Sequence, residues 1–296
     1  MSISVQFDEL ADRIAAGGEL SDAELATLGS TPDILSVGML ADTLRRGRHG
    51  SKVTYLRVAT WPLDAAPGTI EPASHEVRIA GVPETLAAAV AAVEAARAQA
   101  GGRTVSAYSW SDVERWRASA GTTAAVLVQL KSAGLDAIGF LPLDAIAALP
   151  VAIGELTDAG YEHLRLSIDK APAEARIPLM RQAAQLQEQF GGIHSIGPLP
   201  STLAAFRPTT GYDDVKTVAL ARLAAPNIPT VQVDWLRYGP KLAQVALTFG
   251  ADDLDNVTAS DVAPDGRRRA PLEEVRRNIA AAGFEPAERD GRFTLV

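Results

Sequence analysis

The sequence contains no cysteine among its 296 residues. This absence excludes a disulfide bond, a thiolate nucleophile and a zinc site held by cysteine. It also excludes an iron–sulfur cluster of the ordinary kind, because cysteine thiolates ligate such clusters. Only four histidines are present, and they form neither an HxH nor an HExxH pattern. The sequence therefore gives no indication of a metal site.

Long apolar runs and a basic surface are missing as well. No stretch of about 18 apolar residues appears, and the first residues lack a basic segment followed by an apolar one. The net charge of −8 disfavours a broad nucleic-acid surface. GxSxG, P-loop and GxGxxG patterns are absent. We expect a cytoplasmic protein that binds neither membrane nor nucleic acid.

Three short helices are predicted before any strand. The apolar spacing places them at Phe7–Ile14, Asp22–Leu28 and Pro32–Arg46. Ser21 precedes the second helix and Glu24 takes the capping-box position. We interpret residues 1–50 as a helical N-terminal extension.

Strand and helix patterns alternate from residue 51 to residue 296. The predicted strands are Lys52–Thr60, Glu76–Ala80, Thr104–Ser109, Ala137–Leu141, His163–Asp169, Ile193–Leu199, Thr230–Leu236 and Asn256–Ser260. Alternating elements of this kind form right-handed βαβ units with a parallel sheet. Eight strands predict a TIM-like (β/α)8 barrel, an α/β fold whose functional residues lie at the C-terminal ends of the strands.

Three charged stretches are present, of which the helix end and the basic run are interpreted as solvated. They are the helix end at Arg45, Arg46, Arg48 and His49, the aspartates 252, 253 and 255, and the basic run 266–269. For the helix end, a phosphate or carboxylate site is the alternative. The aspartates are predicted to form a turn between a helix and a strand, and the basic run a loop.

The most distinctive text lies between Arg207 and Thr258. The phrases TGYDDVKTVALARL and GPKLAQVALTFGADDLDN, and PLEEVRRNIAAAGFEPAERD further on, closely resemble the aminofutalosine synthases. Those are radical S-adenosylmethionine enzymes of the futalosine route to menaquinone, related to dehypoxanthine futalosine cyclase and to the deazaflavin-forming synthases. The resemblance implies a radical-SAM-type barrel and a place near that pathway.

One segment departs from the family. The resembling enzymes hold their cluster through a three-cysteine motif just after the first barrel strand, where this chain reads WPLDAAPGTIEPASHE. Other potential ligands there are Asp64, Glu71, His75 and Glu76, at irregular spacing. We therefore expect a cysteine-free member without a 4Fe–4S cluster and without another cofactor. Residual S-adenosylmethionine binding is the one retained property that the resemblance implies.

The predicted strand ends supply candidate ligand-binding residues. Those selected are Tyr108, Trp110, Asp169, Asp234, Trp235, Arg237 and Tyr238, and a wider set adds Trp61, Ser109, Ser167, His194 and Asp261. Within VDWLRYG, Trp235 or Tyr238 can stack on a nucleobase and Arg237 can hold a carboxylate. Because alternate strand residues face opposite sides, at most half of the set can face one pocket.

Two functions fit these observations. The first is a non-catalytic, cluster-less paralogue that pairs with a cluster-bearing synthase, or with itself, and binds a nucleoside-like small molecule. The second is a cluster-independent hydrolase or lyase that acts on a nucleoside-like menaquinone intermediate. No nucleophile–base pair can be assigned for the second, so its catalytic residues are unknown.

Overall fold

Eight parallel strands form a closed barrel in the computed structural model, which describes residues 3–63, 70–200, 211–263 and 270–296, with side chains from residue 7 onward. The barrel strands are β1 Lys52–Pro62, β2 Glu76–Ala80, β3 Thr104–Ser109, β4 Ala137–Pro142, β5 Leu164–Ile168, β6 Ile193–Pro198, β7 Thr230–Asp234 and β8 Asp253–Thr258. Each strand pairs with the next, and β8 and β2 both pair with β1. The predicted (β/α)8 architecture is confirmed.

A ninth strand, β9 (Glu285–Glu288), completes one side of the barrel. The C-terminal half of β1 pairs with β2, from Val58 to Pro62. Its N-terminal half pairs with β9, from Lys52 to Tyr55. Strand β9 therefore occupies the gap beside β1 that the shorter β2 leaves open. This strand is not predicted from sequence, because EPAE has no β-branched or aromatic residue and contains proline.

Helices cover the barrel and precede it. They are α1 Ile3–Ala15, α2 Asp22–Ser30, α3 Ile34–His49, α4 Leu86–Ala100, α5 Trp110–Ala120, α6 Thr123–Ser132, α7 Leu149–Asp158, α8 Ala173–Phe190, α9 Tyr212–Ala224, α10 Trp235–Leu247 and α11 Pro271–Ala281. Across the part of the chain that the structure describes, no helix has both the length and the apolar character needed to cross a bilayer.

The first three helices pack on the barrel's outer layer. Ser21 and Glu24 form the predicted capping box at the start of α2. The Lys216 ammonium of α9 donates to the carbonyls of Gly29 and Thr31, each at 2.6 Å. These carbonyls lie at the C-terminal end of α2, where a cation is favoured. The division between extension and barrel at residue 50 stays a prediction.

The basic end of α3 is solvated only in part: Arg46 and Arg48 are exposed, whereas Arg45 is buried. Arg45 is fully buried, donates to Asp42 at 2.8 Å, and lies 4.0 Å from the ring centre of Phe284. Arg48 donates to the Ile228 carbonyl at 2.7 Å. The contacts of Arg48 with Ile228 and of Arg45 with Phe284 are tertiary, so local sequence cannot reveal them. The basic run 266–269 lies outside the described residues.

Two boundaries near the last barrel strands also differ from prediction. Strand β7 ends at Asp234, and α10 begins at Trp235 and kinks at Gly239 (φ 70°) before Pro240. Strand β8 begins at Asp253, so the acidic segment is largely strand and not a turn. A carboxylate is unfavourable on a buried strand unless a cation pairs with it. Arginines in the barrel interior provide that pairing.

The barrel interior contains a network of buried ion pairs. The Glu76 carboxylate accepts from the Arg165 guanidinium at 2.6 and 3.1 Å, from Arg78 at 2.7 Å and from the Ser106 hydroxyl at 2.6 Å. Burial opposes ionisation of Glu76, but Arg165 and Arg78 outweigh it and hold the pKa of this carboxyl far below its usual range.

The network continues across the interior through β8. Arg78 also donates to both oxygens of Asp255 at 3.1 Å. Deeper in the barrel, Arg289 makes two bonds of 2.6 Å to Asp253. Gln232 and Thr54 donate to the same carboxylate at 2.8 and 2.6 Å. Burial opposes ionisation of Asp253, but Arg289 outweighs it and lowers the pKa.

Charge is balanced within this interior. Three arginines, 78, 165 and 289, face three carboxylates, those of Glu76, Asp253 and Asp255. Taking ions out of water costs several kcal/mol each, which only close pairing and further hydrogen bonds offset. The barrel therefore depends on every member of the network having its partner.

Replacing Glu76 with glutamine leaves Arg165 buried with one ionic partner fewer. We expect E76Q to lower the free energy of unfolding by about 3 kcal/mol, the scale for breaking a buried pair. Urea denaturation followed by circular dichroism measures it. The matched control is E273Q, which removes the exposed Arg277–Glu273 pair (3.0 Å) and should cost below about 0.5 kcal/mol. Equal effects of the two variants would contradict a structural role for the interior pair.

Candidate binding site at the barrel mouth

A cavity of about 340 Å³ opens at the C-terminal ends of β1 and β8. Its wall has an apolar part and a hydroxyl-rich part, formed among others by Trp61, Pro62, Ile70, Leu236, Thr60, Thr258 and Ser260. The volume lies at the lower end of the range for small-molecule sites. Its position is where a (β/α)8 barrel places its functional groups.

A bulge in β8 shapes this cavity. The pairing of β8 with β1 shifts between Tyr55 and Arg57, and Asn256 adopts a left-handed backbone (φ 62°). The Asn256 amide donates to the two Asp234 oxygens at 3.3 and 3.2 Å. Bulges and left-handed residues other than glycine cluster near functional sites, where they redirect a side chain.

Asp234 connects the cavity to the start of α10. Its carboxylate accepts from the Arg237 backbone N–H at 3.0 Å and so caps the helix. Burial raises the pKa of Asp234, and the negative charge of Asp255 adds to the rise. Bonds from Arg237 and Asn256 act in the opposite direction. The result is a buried carboxyl group that titrates above its ordinary range beside an open cavity.

The aromatic residues predicted for the pocket lie largely in the helical layer. Tyr108 has φ 58°, donates its hydroxyl to the Ala89 carbonyl of α4 at 2.9 Å, and packs edge-on against Trp116. The Tyr238 hydroxyl donates to the Pro198 carbonyl at 2.9 Å. Burial raises the pKa of both phenols. Trp110 and Trp235 are each 4% exposed.

The remaining predicted residues are dispersed. Arg237 is half exposed, with its guanidinium 3.7 Å from Asp234. Asp169 is exposed, and its backbone N–H donates to Asp144 at 3.1 Å. Ser167 is buried in β5, His194 lies at the N-terminal end of β6, and Asp261 contacts Arg57 at 3.2 Å. Of the seven selected residues, Asp234 and Arg237 are the two brought together, and a ligand role for any of them stays a prediction.

Sequence reasoning missed Asn256, and it missed the ion network as a unit. The available signal was the alternation in DDLDN, which places Asp253 and Asp255 on one face of a strand. That pattern was assigned to a turn. Pairing of these carboxylates with Arg289 and Arg78 spans 36 and 177 residues of sequence, so local pattern cannot reveal it.

The residues after β1 do not fit an iron–sulfur cluster. The chain has no cysteine, the His75 imidazole lies 3.0 Å from Glu288, and Glu76 points to Arg165 in the interior. Asp64 lies outside the described residues. Over the ranges that the structure covers, no group of three histidine or carboxylate side chains is placed to hold a metal ion.

A comparison with known protein families gives a match to the C-terminal third of the chain. Residues 200–295 match the family described as the CofH/MqnC C-terminal region. This segment contains α9, β7, α10, β8, α11 and β9. It therefore includes Asp234, Asn256 and two carboxylates of the interior network.

Curated relatives match about two fifths of the chain. A 5-amino-6-(D-ribitylamino)uracil–L-tyrosine 4-hydroxyphenyl transferase of Archaeoglobus fulgidus is 35% identical over 136 residues, covering 42% of this chain and 39% of that protein. The aminodeoxyfutalosine synthases of Thermus thermophilus and Streptomyces coelicolor are 32% and 36% identical, each over 37% of its length. These matches span less than half the length of each relative.

Solved structures show the same fold over nearly the whole chain. Methylornithine synthase (PylB) has a TM-score of 0.68, with 94% of this chain and 97% of that one covered. The hydrogenase maturase HydG of Carboxydothermus hydrogenoformans has a TM-score of 0.69, with 98% and 82% covered. At 14% and 12% identity these likenesses show the fold alone. The chain is a (β/α)8 barrel whose C-terminal third matches the CofH/MqnC C-terminal region and which contains no cysteine.

Proposed function

We propose that this chain is a cluster-less paralogue of the futalosine-route enzymes and serves as a non-catalytic binding or partner subunit of a cluster-bearing synthase. It has the family's C-terminal region and a radical-SAM-type barrel. It lacks the thiolates that reductive cleavage of S-adenosylmethionine requires in such enzymes.

The observation that carries the proposal is the state of the potential ligands after β1. His75 and Glu76, the two that adjoin β2, are engaged by Glu288 and Arg165. Recruiting Glu76 to a metal would break a buried ion pair, which costs about 3–5 kcal/mol. Replacement of cysteine by these residues is therefore disfavoured by the same contacts that stabilise the barrel.

The cavity at the barrel mouth supports the proposed role in ligand binding. It has apolar walls for a flat ring and an amide at Asn256 for orientation. Polar groups of this kind, few and fixed, are typical of small-molecule sites. We propose a nucleoside-like ligand, S-adenosylmethionine included, and a heterodimer with a cluster-bearing family member.

Anaerobic reconstitution tests whether the chain holds a cluster. The purified protein is treated with ferrous iron and sulfide and then desalted. Its iron content and its absorbance at about 400 nm are measured. We expect neither, because no thiolate is available. An aminodeoxyfutalosine synthase treated in parallel is the control. Stoichiometric iron and sulfide bound to this chain would overturn the cluster-less assignment.

Calorimetric titration tests the pocket with S-adenosylmethionine and, separately, with aminofutalosine-type nucleosides. If either binds, N256A should weaken it roughly five- to tenfold, the equivalent of one lost hydrogen bond of about 1–1.5 kcal/mol. Y238F is the matched control, since the Tyr238 hydroxyl bonds to a backbone carbonyl. It should leave affinity within about twofold and cost about 1 kcal/mol of stability. Loss of binding in Y238F alone would place the ligand at the start of α10.

Co-expression tests the partner role. We expect a tagged copy of the chain to co-purify with a cluster-bearing synthase at a fixed ratio, and the synthase to gain activity or solubility in the complex. A stable homodimer that excludes the synthase would contradict the heterodimer. Turnover of a nucleoside by the chain alone would contradict the non-catalytic role and support the hydrolase or lyase alternative.

A further inference from the structure

The chain after β9 closes the N-terminal end of the barrel. We call Arg289–Val296 the floor segment. Arg289 reaches into the interior and pairs with Asp253. The Gly291 carbonyl accepts from Arg165 at 2.9 Å, and a β-carbon at Gly291 would lie 2.5 Å from that of Thr104. The floor segment therefore fits tightly against the lower end of the ion network.

Two histidines meet the floor segment from β5 and β6. The Nδ1 atoms of His163 and His194 lie 3.3 Å apart. The Phe293 ring stacks on His194 with centroids 3.9 Å apart and planes at 26°. The Arg289 guanidinium lies 4.0 Å from the centre of the same Phe293 ring. His194, Phe293 and Arg289 thus form one contact between the barrel and its floor.

The Nδ1–Nδ1 contact holds only in part of the pH range. One nitrogen must carry a proton and the other must accept it, so at least one ring is neutral there. When both rings are protonated, both Nδ1 atoms are donors, and the two positive charges repel each other. His163 has a left-handed backbone (φ 55°), which a residue other than glycine adopts at a cost. The surrounding fold therefore keeps this imidazole at the contact.

Cations dominate the surroundings of His194. The groups that face it are the cations Arg165 and Arg289, the anion Asp253 and the titratable imidazole of His163. Burial first, and then His163 and Arg289, lower the pKa of His194 to about 4.

Charges of both signs face His163. Glu162 and Asp290 are the anions, and Arg165 and Arg292 are the cations. Burial is the main cause that lowers the pKa of His163. At neutral pH both imidazoles are therefore uncharged in the closed arrangement.

We propose that the His163–His194 pair is an acid-sensitive latch, and that its protonation releases the floor segment from the barrel. In the released state both rings meet water. Protons then bind the released state more strongly than the closed one, so closure is complete above about pH 6.5 and weakens as the pH falls toward 4. Release would expose the lower end of the interior ion network.

Hydrogen exchange with mass spectrometry measures this release on the full chain. The reporters are the floor amides of Arg289 and Val296, which donate to the carbonyls of Tyr55 in β1 and Glu288 in β9. After correction for intrinsic exchange, we expect their protection to fall roughly twentyfold between pH 7 and pH 5, as one-proton linkage requires. Amides of α5 are the internal control and should keep their protection within about threefold.

Two variants separate the latch from other acid effects. H194F keeps a ring against Phe293 and removes the titrating group, and we expect its floor protection to change less than about threefold. H163N removes the other imidazole, and asparagine tolerates a left-handed backbone. H49Q, at the Pro229 carbonyl, is the control histidine and should keep the wild-type response.

Three outcomes would overturn the proposal. In the first, floor protection in the wild type is equal at pH 7 and pH 5. In the second, H194F and H163N lose protection as the wild type does, which would assign the effect to Glu162 or Asp290. In the third, α5 and the floor lose protection together, which would indicate global unfolding.

Discussion

The pairing of Glu76 with Arg165 is the interaction on which the rest of this barrel depends. Both side chains are at most 1% exposed, so water does not solvate either charge. Arg165 also holds Gly291, and Glu76 also holds Arg78. Through these shared partners the pair joins β2, β5, β8 and the floor segment. An α/β barrel of this type normally fills its interior with branched apolar side chains; this one fills much of it with matched ions.

This interior also limits what chemistry the barrel can perform. Each arginine that faces the interior is held by a carboxylate, and each of these carboxylates by an arginine. A substrate that entered deeply would have to displace such pairs at a cost of several kcal/mol. Within the barrel, a ligand therefore meets less resistance at the mouth, where Asp234 and Asn256 adjoin an open cavity. A role in binding is consistent with that position.

Sequence pattern predicted the architecture better than the site. Local sequence encodes the strands of the barrel, through their periodicity, and the capping box at Ser21. The resemblance of the C-terminal third is likewise carried by contiguous stretches of sequence. Strand β9 and the role of Arg289 are not, because a short polar segment becomes a strand only when β1 offers a free edge. The predicted aromatic residues do not form one pocket for a similar reason: Tyr108 bonds to a backbone carbonyl of α4, and Tyr238 bonds to one at the end of β6. Which face a strand-end residue takes depends on bulges and left-handed residues, and these arise from packing.

The pairing of β9 with β1 bears on how the protein is made. A nascent chain presents the lower edge of β1 soon after residue 55, but its partner emerges only with residues 285–288. Until then the strand has unpaired backbone groups, and Asp253 has no guanidinium. The barrel is thus completed only once residue 288 has been made, and the intermediate before that point has a strand edge open to wrong partners.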